Sequence, residues 1–280
     1  MEGITNRYPN FQQRTYYTQN PYDNTYRRAN SESSDDLKEV KAVAGAGILQ
    51  GIALLLSKAS DWCGKKLMQG EEFTTAENVE KIASKMLTDN KLEKKVAVEF
   101  INESNAGAVA AKYRKNGLDI LGELGPVARG ENAFYTDQLK LAVAPKSKPS
   151  LILHELGHAI TAHKGKFMKF LQKSRMYAAS IPSALVFFNN ATQKPDGERS
   201  FIEKHAFKLG FLAFLPTIIE EGIASLRGIN AARQIKKTVD RSINLKPLRW
   251  NYAFAWMTYV IAGLGLGIAA KQSVMTDGRK

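Results

Sequence analysis

The chain has 280 residues, a formal net charge of +13 at pH 7 and 44% hydrophobic residues, a length that allows one or two domains with a sizeable core. Its single cysteine, Cys63, excludes an intramolecular disulfide and a four-cysteine zinc site. The lysines and arginines are scattered and no nucleic-acid-binding motif accompanies them. The positive charge therefore favours an anionic lipid surface as partner, and no nucleic acid is expected.

Residues 1–36 are rich in Asn, Gln, Tyr, Ser and Arg and poor in aliphatic side chains. Such a segment cannot bury enough apolar surface to offset the entropy lost on ordering. We therefore expect a disordered polar tail. Its first residues lack the apolar core of a cleavable signal peptide.

A first hydrophobic helix is predicted over residues 37–62. Its centre, Val40–Leu56, is apolar apart from Lys41 and Gln50, and its small residues suit close helix packing in lipid. A full membrane span needs roughly 20 residues, so this stretch is slightly short of one. Trp62 follows it as a candidate interfacial anchor.

Residues 63–250 are predicted to form a catalytic domain. Capping threonines and helical spacing of apolar residues predict a helix over Glu72–Asp89. β-Branched and aromatic residues predict a strand over Val96–Ile101, and two further strands or one hairpin over Asn132–Asp137 and Leu139–Ala144. A helix, then strands, then another helix in this order predict an α+β fold with a small sheet.

The segment after these strands contains His154-Glu155-Leu156-Gly157-His158, the H-E-x-x-H pattern. Residues four apart lie on one face of a helix, so the two imidazoles can bind one metal ion. Glu155 is then placed to take a proton from a water molecule at that ion. Gly157 leaves room for another backbone nearby. A catalytic zinc needs a third protein ligand and an open fourth position.

Three apolar stretches follow the metal-binding helix. Met176–Phe188 and Phe207–Ile219 each contain a proline and are short enough to be buried core helices or a re-entrant hairpin. Residues 176–219 are therefore predicted as a hydrophobic helical insertion. Residues 251–270 form the best candidate for a membrane helix, because the stretch is uncharged and long enough. Residues 271–280 are predicted as a polar tail.

The candidate third ligand comes directly after the second apolar stretch, where Glu220 and Glu221 stand side by side. Two carboxylates at the end of an apolar helix are costly unless a cation or another partner meets them. A metal bound by the two histidines would be such a partner. We predict Glu221 as the ligand, because Gly222 and Ala224 keep its helix slim where it must approach the metal-binding helix.

With Glu221 downstream, the His154–His158 motif resembles the gluzincin group of zinc metalloproteases. Within that group, the segment Asn132–Tyr135, the strand after it and the zinc helix resemble the M48 family, which includes the membrane-embedded CAAX prenyl protease and a bacterial heat-shock membrane protease. The family's E-x-x-A-D element is E-G-I-A-S here, with Ser225 in place of the expected aspartate. The same short stretch is also similar to the third-ligand helix of M1 aminopeptidases.

This resemblance implies a zincin-like metalloprotease unit, of α+β class, with several hydrophobic, membrane-associated helices. It implies one zinc ion per chain, bound by His154, His158 and Glu221, and peptide-bond hydrolysis with Glu155 as general base. The polypeptide substrate would lie along the edge strand, near Asn132, Ala133, Phe134 and Tyr135.

The distribution of positive charge predicts the orientation in a membrane. If all four apolar stretches cross it, residues 57–175 and 220–250 lie on one side, so that Glu221 can reach the two histidines. These two segments hold most of the lysines and arginines. By the positive-inside rule the catalytic side of this integral or peripheral membrane protein would be cytoplasmic.

Two other interpretations stay open. A site-2-type intramembrane protease has a similar H-E-L-G-H-A helix and an Asp-Gly third ligand, for which Asp196 is the candidate, although it lies in a polar segment. A non-catalytic zinc-binding membrane scaffold is the second, although structural zinc sites usually have four protein ligands. His163 and His205 are weaker candidate ligands, and Arg227 and His205 are candidates to stabilise an oxyanion.

Overall fold

The computed structural model describes residues 35–114, 120–192 and 199–277, except for the side chains of residues 35–47, 68, 175, 176, 179, 276 and 277. The predicted tail over residues 1–36 therefore lies outside the described residues, apart from two positions that begin a helix. The elements in chain order are α1 (Asp35–Gln69), α2 (Ala76–Asp89), β1 (Ala97–Ile101), α3 (Ala106–Arg114), α4 (Leu121–Ala128), β2 (Phe134–Thr136), β3 (Leu141–Pro145), α5 (Leu151–His163), α6 (Gly165–Ser174), a 3₁₀ helix (Arg175–Ser180), α7 (Ile181–Ala191), α8 (Phe201–Thr238) and α9 (Leu245–Asp277).

The sheet of the described residues has three strands in the order β1-β3-β2, which confirms the small sheet expected for an α+β fold in a largely helical chain. β1 runs parallel to β3, and β2 pairs antiparallel with β3, with Phe134 opposite Val143. The predicted hairpin is thus confirmed. All five residues of β3 are buried, because this central strand is covered on both faces, whereas β2 forms an edge.

Helix α2 begins at Ala76, later than the predicted Glu72, because Thr75 serves as its N-cap. The Thr75 side chain accepts a hydrogen bond from the Asn78 N–H. The helix buries Val79, Ile82, Ala83 and Met86 on one face. This face belongs to the same hydrophobic core as Ile152, Leu153 and Leu156 of α5, so α2 packs against one side of α5.

The N-terminus of α5 is held from two distant parts of the chain. The Ser150 hydroxyl donates to the Glu72 carboxylate at 2.9 Å, and the buried Tyr252 hydroxyl donates to the Ser150 carbonyl at 2.8 Å. Burial raises the pKa of the Glu72 carboxyl, and its hydrogen bonds from Ser150 oppose that rise. These contacts set the direction in which α5 leaves the sheet.

The apolar stretches differ from their predicted boundaries. Phe207–Ile219 is no separate helix but the apolar part of α8, which runs 38 residues through Pro216 without a break. Met176–Phe188 is divided between the 3₁₀ helix and α7, with Pro182 in the first turn of α7, where a missing N–H is tolerated. Helix α9 continues past Ala270 to Asp277, where a polar tail was predicted, because no breaking residue interrupts it.

Within the described residues, two helices are long and apolar enough to cross a membrane: Phe201–Thr238 and Leu245–Met275. They pack as an antiparallel pair through small residues of α9. A Cβ at Gly267 would lie 2.9 Å from the Phe207 carbonyl oxygen, and one at Gly263 would lie 3.0 Å from the Ile218 side chain. Small residues at such contacts let two helix backbones approach closely.

Candidate metal centre

Three ligand atoms from α5 and α8 converge on one point. The Nε2 atoms of His154 and His158 lie 3.0 Å apart. The Oε2 atom of Glu221 lies 3.1 Å from the first nitrogen and 3.4 Å from the second. These three residues form a group that could hold a metal ion.

The size of this triangle matches a tetrahedral zinc site. Zinc bonds to histidine nitrogen and carboxylate oxygen are about 2.0–2.2 Å long, so two ligand atoms of a tetrahedral site lie roughly 3.3–3.5 Å apart. The observed separations of 3.0, 3.1 and 3.4 Å fall at or slightly below that spacing. Coordination would require the side chains to move apart by a few tenths of an ångström.

Glycine brings the two helices close enough for this convergence. A Cβ on Gly157 would lie 2.5 Å from the Ala224 carbonyl oxygen, so α8 presses its backbone directly on α5. One turn further along α8, a Cβ on Gly228 would lie 3.0 Å from the Tyr252 ring and 3.2 Å from Leu153. The predicted close approach at Gly157 is confirmed. Ala224 lies at the close contact with α5, as predicted. Gly222 does not, because it faces Trp256 of α9.

The other ring nitrogen of each histidine is held by α8. The Nδ1 atom of His158 lies 2.6 Å from Glu220 Oε1, and the Nδ1 atom of His154 lies 3.1 Å from Ser225 Oγ. Each acceptor favours the tautomer with hydrogen on Nδ1, which leaves the Nε2 lone pair available for a metal. Ser225, which stands where the resemblance leads one to expect an aspartate, thus holds the His154 ring.

The charge of the cluster also fits a divalent cation. Glu220 and Glu221 are completely buried, and Glu155 is 8% exposed. Arg227 interacts electrostatically with Glu220 while one of its nitrogens donates to the Gly157 carbonyl at 2.8 Å. Three buried carboxylates beside one guanidinium are costly to desolvate, and a bound divalent cation would bring the cluster close to neutrality.

His154 is the most exposed of the three candidate ligands. Its side chain is 12% exposed, against 1% for Glu221. Glu155 follows His154 on α5 and lies within electrostatic range of the Tyr252 hydroxyl. The centroids of the Tyr252 and His154 rings lie 5.7 Å apart.

Comparisons with protein-family models, with curated proteins and with solved structures returned no match.

The rival ligands stand apart from the centre or outside the described residues. The His163 ring nitrogen Nδ1 bonds to the Ala159 carbonyl at the end of α5. The His205 ring packs against Phe201. His205 precedes Glu221 by sixteen residues of α8, which is about 24 Å along a helix. This distance also removes His205 as an oxyanion donor. Asp196 lies outside the described residues.

Arg227, the other candidate to stabilise an oxyanion, makes hydrogen bonds to α5 instead. The Arg227 guanidinium donates to the backbone of Gly157 and to the Thr161 hydroxyl, which ties α8 to α5. Its structural use was not foreseen from the sequence, nor were the contacts of Glu220 and Ser225. The signal that could have found them is helical spacing: residues 220, 221, 225 and 228 follow one another along the face that meets α5.

The segment predicted to bind substrate lies at the free edge of the sheet. Asn132 and Ala133 precede β2, and Phe134 and Tyr135 lie within it. The segment is half-buried, and β2 packs near α5. The Tyr135 hydroxyl donates to Asp137 at 3.0 Å, and burial together with this carboxylate raises its pKa. The outer edge of β2 thus carries backbone groups that could pair with an extended peptide.

Proposed function

We propose that this protein is a zinc-dependent metallopeptidase with a zincin-like catalytic unit, associated with a membrane. The observation that carries the proposal is the triangle of His154 Nε2, His158 Nε2 and Glu221 Oε2, with the buried Glu155 carboxylate next to it on α5. Three protein ligands leave a fourth position open, which is the arrangement of catalytic rather than structural zinc. The proposal also includes one zinc ion per chain.

The chemistry assigned to each residue follows from its position. A zinc ion bound there would supply a Lewis acid that polarises the scissile carbonyl and makes a neighbouring water molecule more acidic. Glu155 accepts the proton of that water and afterwards delivers it to the leaving amine. Glu220 and Ser225 hold the two imidazoles in the required orientation and tautomer.

The edge of β2 is the proposed place for the substrate. An extended polypeptide that pairs with Asn132–Tyr135 would add a strand to the sheet beside α5. Main-chain hydrogen bonds would then orient the peptide without reading its sequence. The proposed substrate class is therefore an unfolded or extended polypeptide.

The exposed apolar surface of α9 supports membrane association. Only 22% of the apolar stretch of α9 is buried inside the protein, so most of it would face water without a membrane. Between Lys208 and Glu220, α8 has eleven uncharged residues, about 16 Å of helix, against a hydrocarbon core of about 30 Å. Glu221 would then lie toward one membrane surface, and the positive-inside rule favours the cytoplasmic one.

The test is hydrolysis of a generic unfolded protein by the detergent-purified full chain, with and without a zinc chelator. We expect chelator-sensitive cleavage that falls by about 10²–10⁴-fold in Glu155→Gln, the contribution of a general base. The exposed Glu80→Gln is the matched control and should keep full activity. A Glu155→Gln protein that binds zinc and cleaves as fast as the wild type would contradict the mechanism.

A further inference from the structure

A second site candidate lies at the other end of α8, where the chain turns into α9. A groove of about 490 Å³ opens there. It is lined by one apolar residue, Leu245, and by the basic residues Arg233, Lys236, Lys237, Arg241 and Arg249. No acidic side chain of the described residues contributes to this lining.

Helix geometry explains why these cations converge. Arg233, Lys236 and Lys237 are spaced three and four residues apart, so they share one face of α8. Leu245 and Arg249 are four apart and share one face of α9. Other faces of the two helices carry Ala232, Ile235 and Leu248, which are buried in one hydrophobic core. This shared core holds the two helices together.

The side chains that line the groove are mostly available to a ligand. Arg233, Lys237, Arg241 and Arg249 are exposed. Lys236 is directed inward, with its ammonium donating to the Ile243 carbonyl. The carboxylate on the connecting loop, Asp240, accepts hydrogen bonds from Ser242 and Asn78 and lies within electrostatic range of Lys236.

Five like charges around one groove repel each other, and an anion placed between them removes that cost. Arginine guanidinium groups match the oxygens of a phosphate in pairs, and lysines add point charges. We propose that this groove binds the phosphate group of an anionic ligand. The proposal is independent of the metal centre, because none of the lining residues belongs to it.

The position of the groove favours a phospholipid headgroup as the source of the phosphate. Arg249 is followed by the exposed Trp250 and, from Tyr252, by the uncharged stretch of α9. Tryptophan and clustered basic residues next to an apolar helix are typical of the region where lipid headgroups lie. A soluble phosphate compound has the same recognition chemistry and is separated from lipid by experiment.

The experiment compares two triple variants of the full chain in detergent, each losing three positive charges. R233Q/K237Q/R241Q changes the groove, and K91Q/K94Q/K95Q changes three exposed lysines in the turn after α2. Binding is measured by tryptophan fluorescence for short-chain phosphatidic acid, short-chain phosphatidylcholine and inorganic phosphate alone. We expect saturable binding of phosphatidic acid that weakens at least about tenfold in the groove variant, because three of the five positive charges that line the groove are removed. The control variant should bind as the wild type does.

The three ligands distinguish the sources. Tight binding of phosphatidic acid with weak binding of inorganic phosphate identifies a lipid headgroup. Equal binding of both, lost only in the groove variant, identifies a soluble phosphate compound and keeps the site. Equal weakening in the two variants would mean that net charge alone attracts the ligand, and this result would overturn the proposal. An absence of saturable binding in the wild type would overturn it as well.

Discussion

Each half of α8 packs closely against a glycine of another helix, but the side chains around the two contacts differ in polarity. In the first half, Phe207 meets Gly267 of α9, and both partners are apolar. In the second half, Ala224 meets Gly157 of α5, and the neighbouring side chains are carboxylates and imidazoles. In each contact the glycine lets two helix backbones approach within the space that one Cβ would fill.

The difference between the halves lies in what the close approach achieves. Between α8 and α9 it gains dispersion contacts, which matter most where surrounding lipid removes the hydrophobic driving force between helices. Between α8 and α5 it brings Glu221 within about one zinc-ligand spacing of the two histidines. One helix thus connects an apolar helix–helix contact with a polar centre, and substitutions can separate the two.

The largest effect is expected for Gly157→Val. The new side chain would collide with the Ala224 backbone and push α8 away from α5, so zinc binding should be lost together with stability, by about 1–3 kcal/mol or more. Zinc content and thermal unfolding of the purified protein measure both. Gly265→Val is the matched control, because a Cβ at Gly265 meets nothing within 4 Å.

Gly267→Val should break the other half selectively. Its Cβ would lie 2.9 Å from the Phe207 carbonyl oxygen, so the free energy of unfolding in detergent should fall by about 1–3 kcal/mol. A lower unfolding temperature measures this loss. The zinc content of the folded fraction should remain that of the wild type. Loss of zinc in this variant at temperatures where it stays folded would show that the halves are not separable.

A smaller effect is expected from Glu220→Gln, which keeps the shape of the side chain and removes its charge. Because the carboxylate holds His158 at 2.6 Å, zinc affinity should fall about 10–100-fold while zinc still binds at saturation. Ser225→Ala should cost less, since the neutral hydroxyl contact to His154 is longer, at 3.1 Å. Competition with a chromogenic chelator ranks the two, and the reverse order would contradict the assigned roles.

Local pattern in the sequence predicted the parts of the site that lie on one element. The spacing of His154 and His158, the strands that precede them and the glycine that admits α8 all follow from short-range periodicity. The candidate third ligand, Glu221, was predicted from the cost of placing carboxylates next to an apolar run. That Glu221 faces the two histidines is a tertiary fact, and its role as ligand stays a prediction.

Other features depend on how elements pack and could not be derived from local pattern. The apolar run Phe207–Ile219 does not mark the end of its helix, because apolar character stops at Glu220 whereas α8 continues to Thr238. Hydrogen bonds from Tyr252 to Ser150, and from Arg227 to Gly157, join residues 70 or more positions apart. Such partners are chosen by the fold, and the sequence indicates only that each group is polar.

The most direct test of the metal centre is the zinc content of the detergent-purified full chain. Wild type is compared with Glu221→Ala and with two controls, His163→Ala and Asp196→Ala. We expect one zinc per chain in the wild type and in both controls, and almost none in Glu221→Ala. Equal zinc in Glu221→Ala and the wild type, or loss of zinc in Asp196→Ala, would contradict the His154, His158 and Glu221 centre.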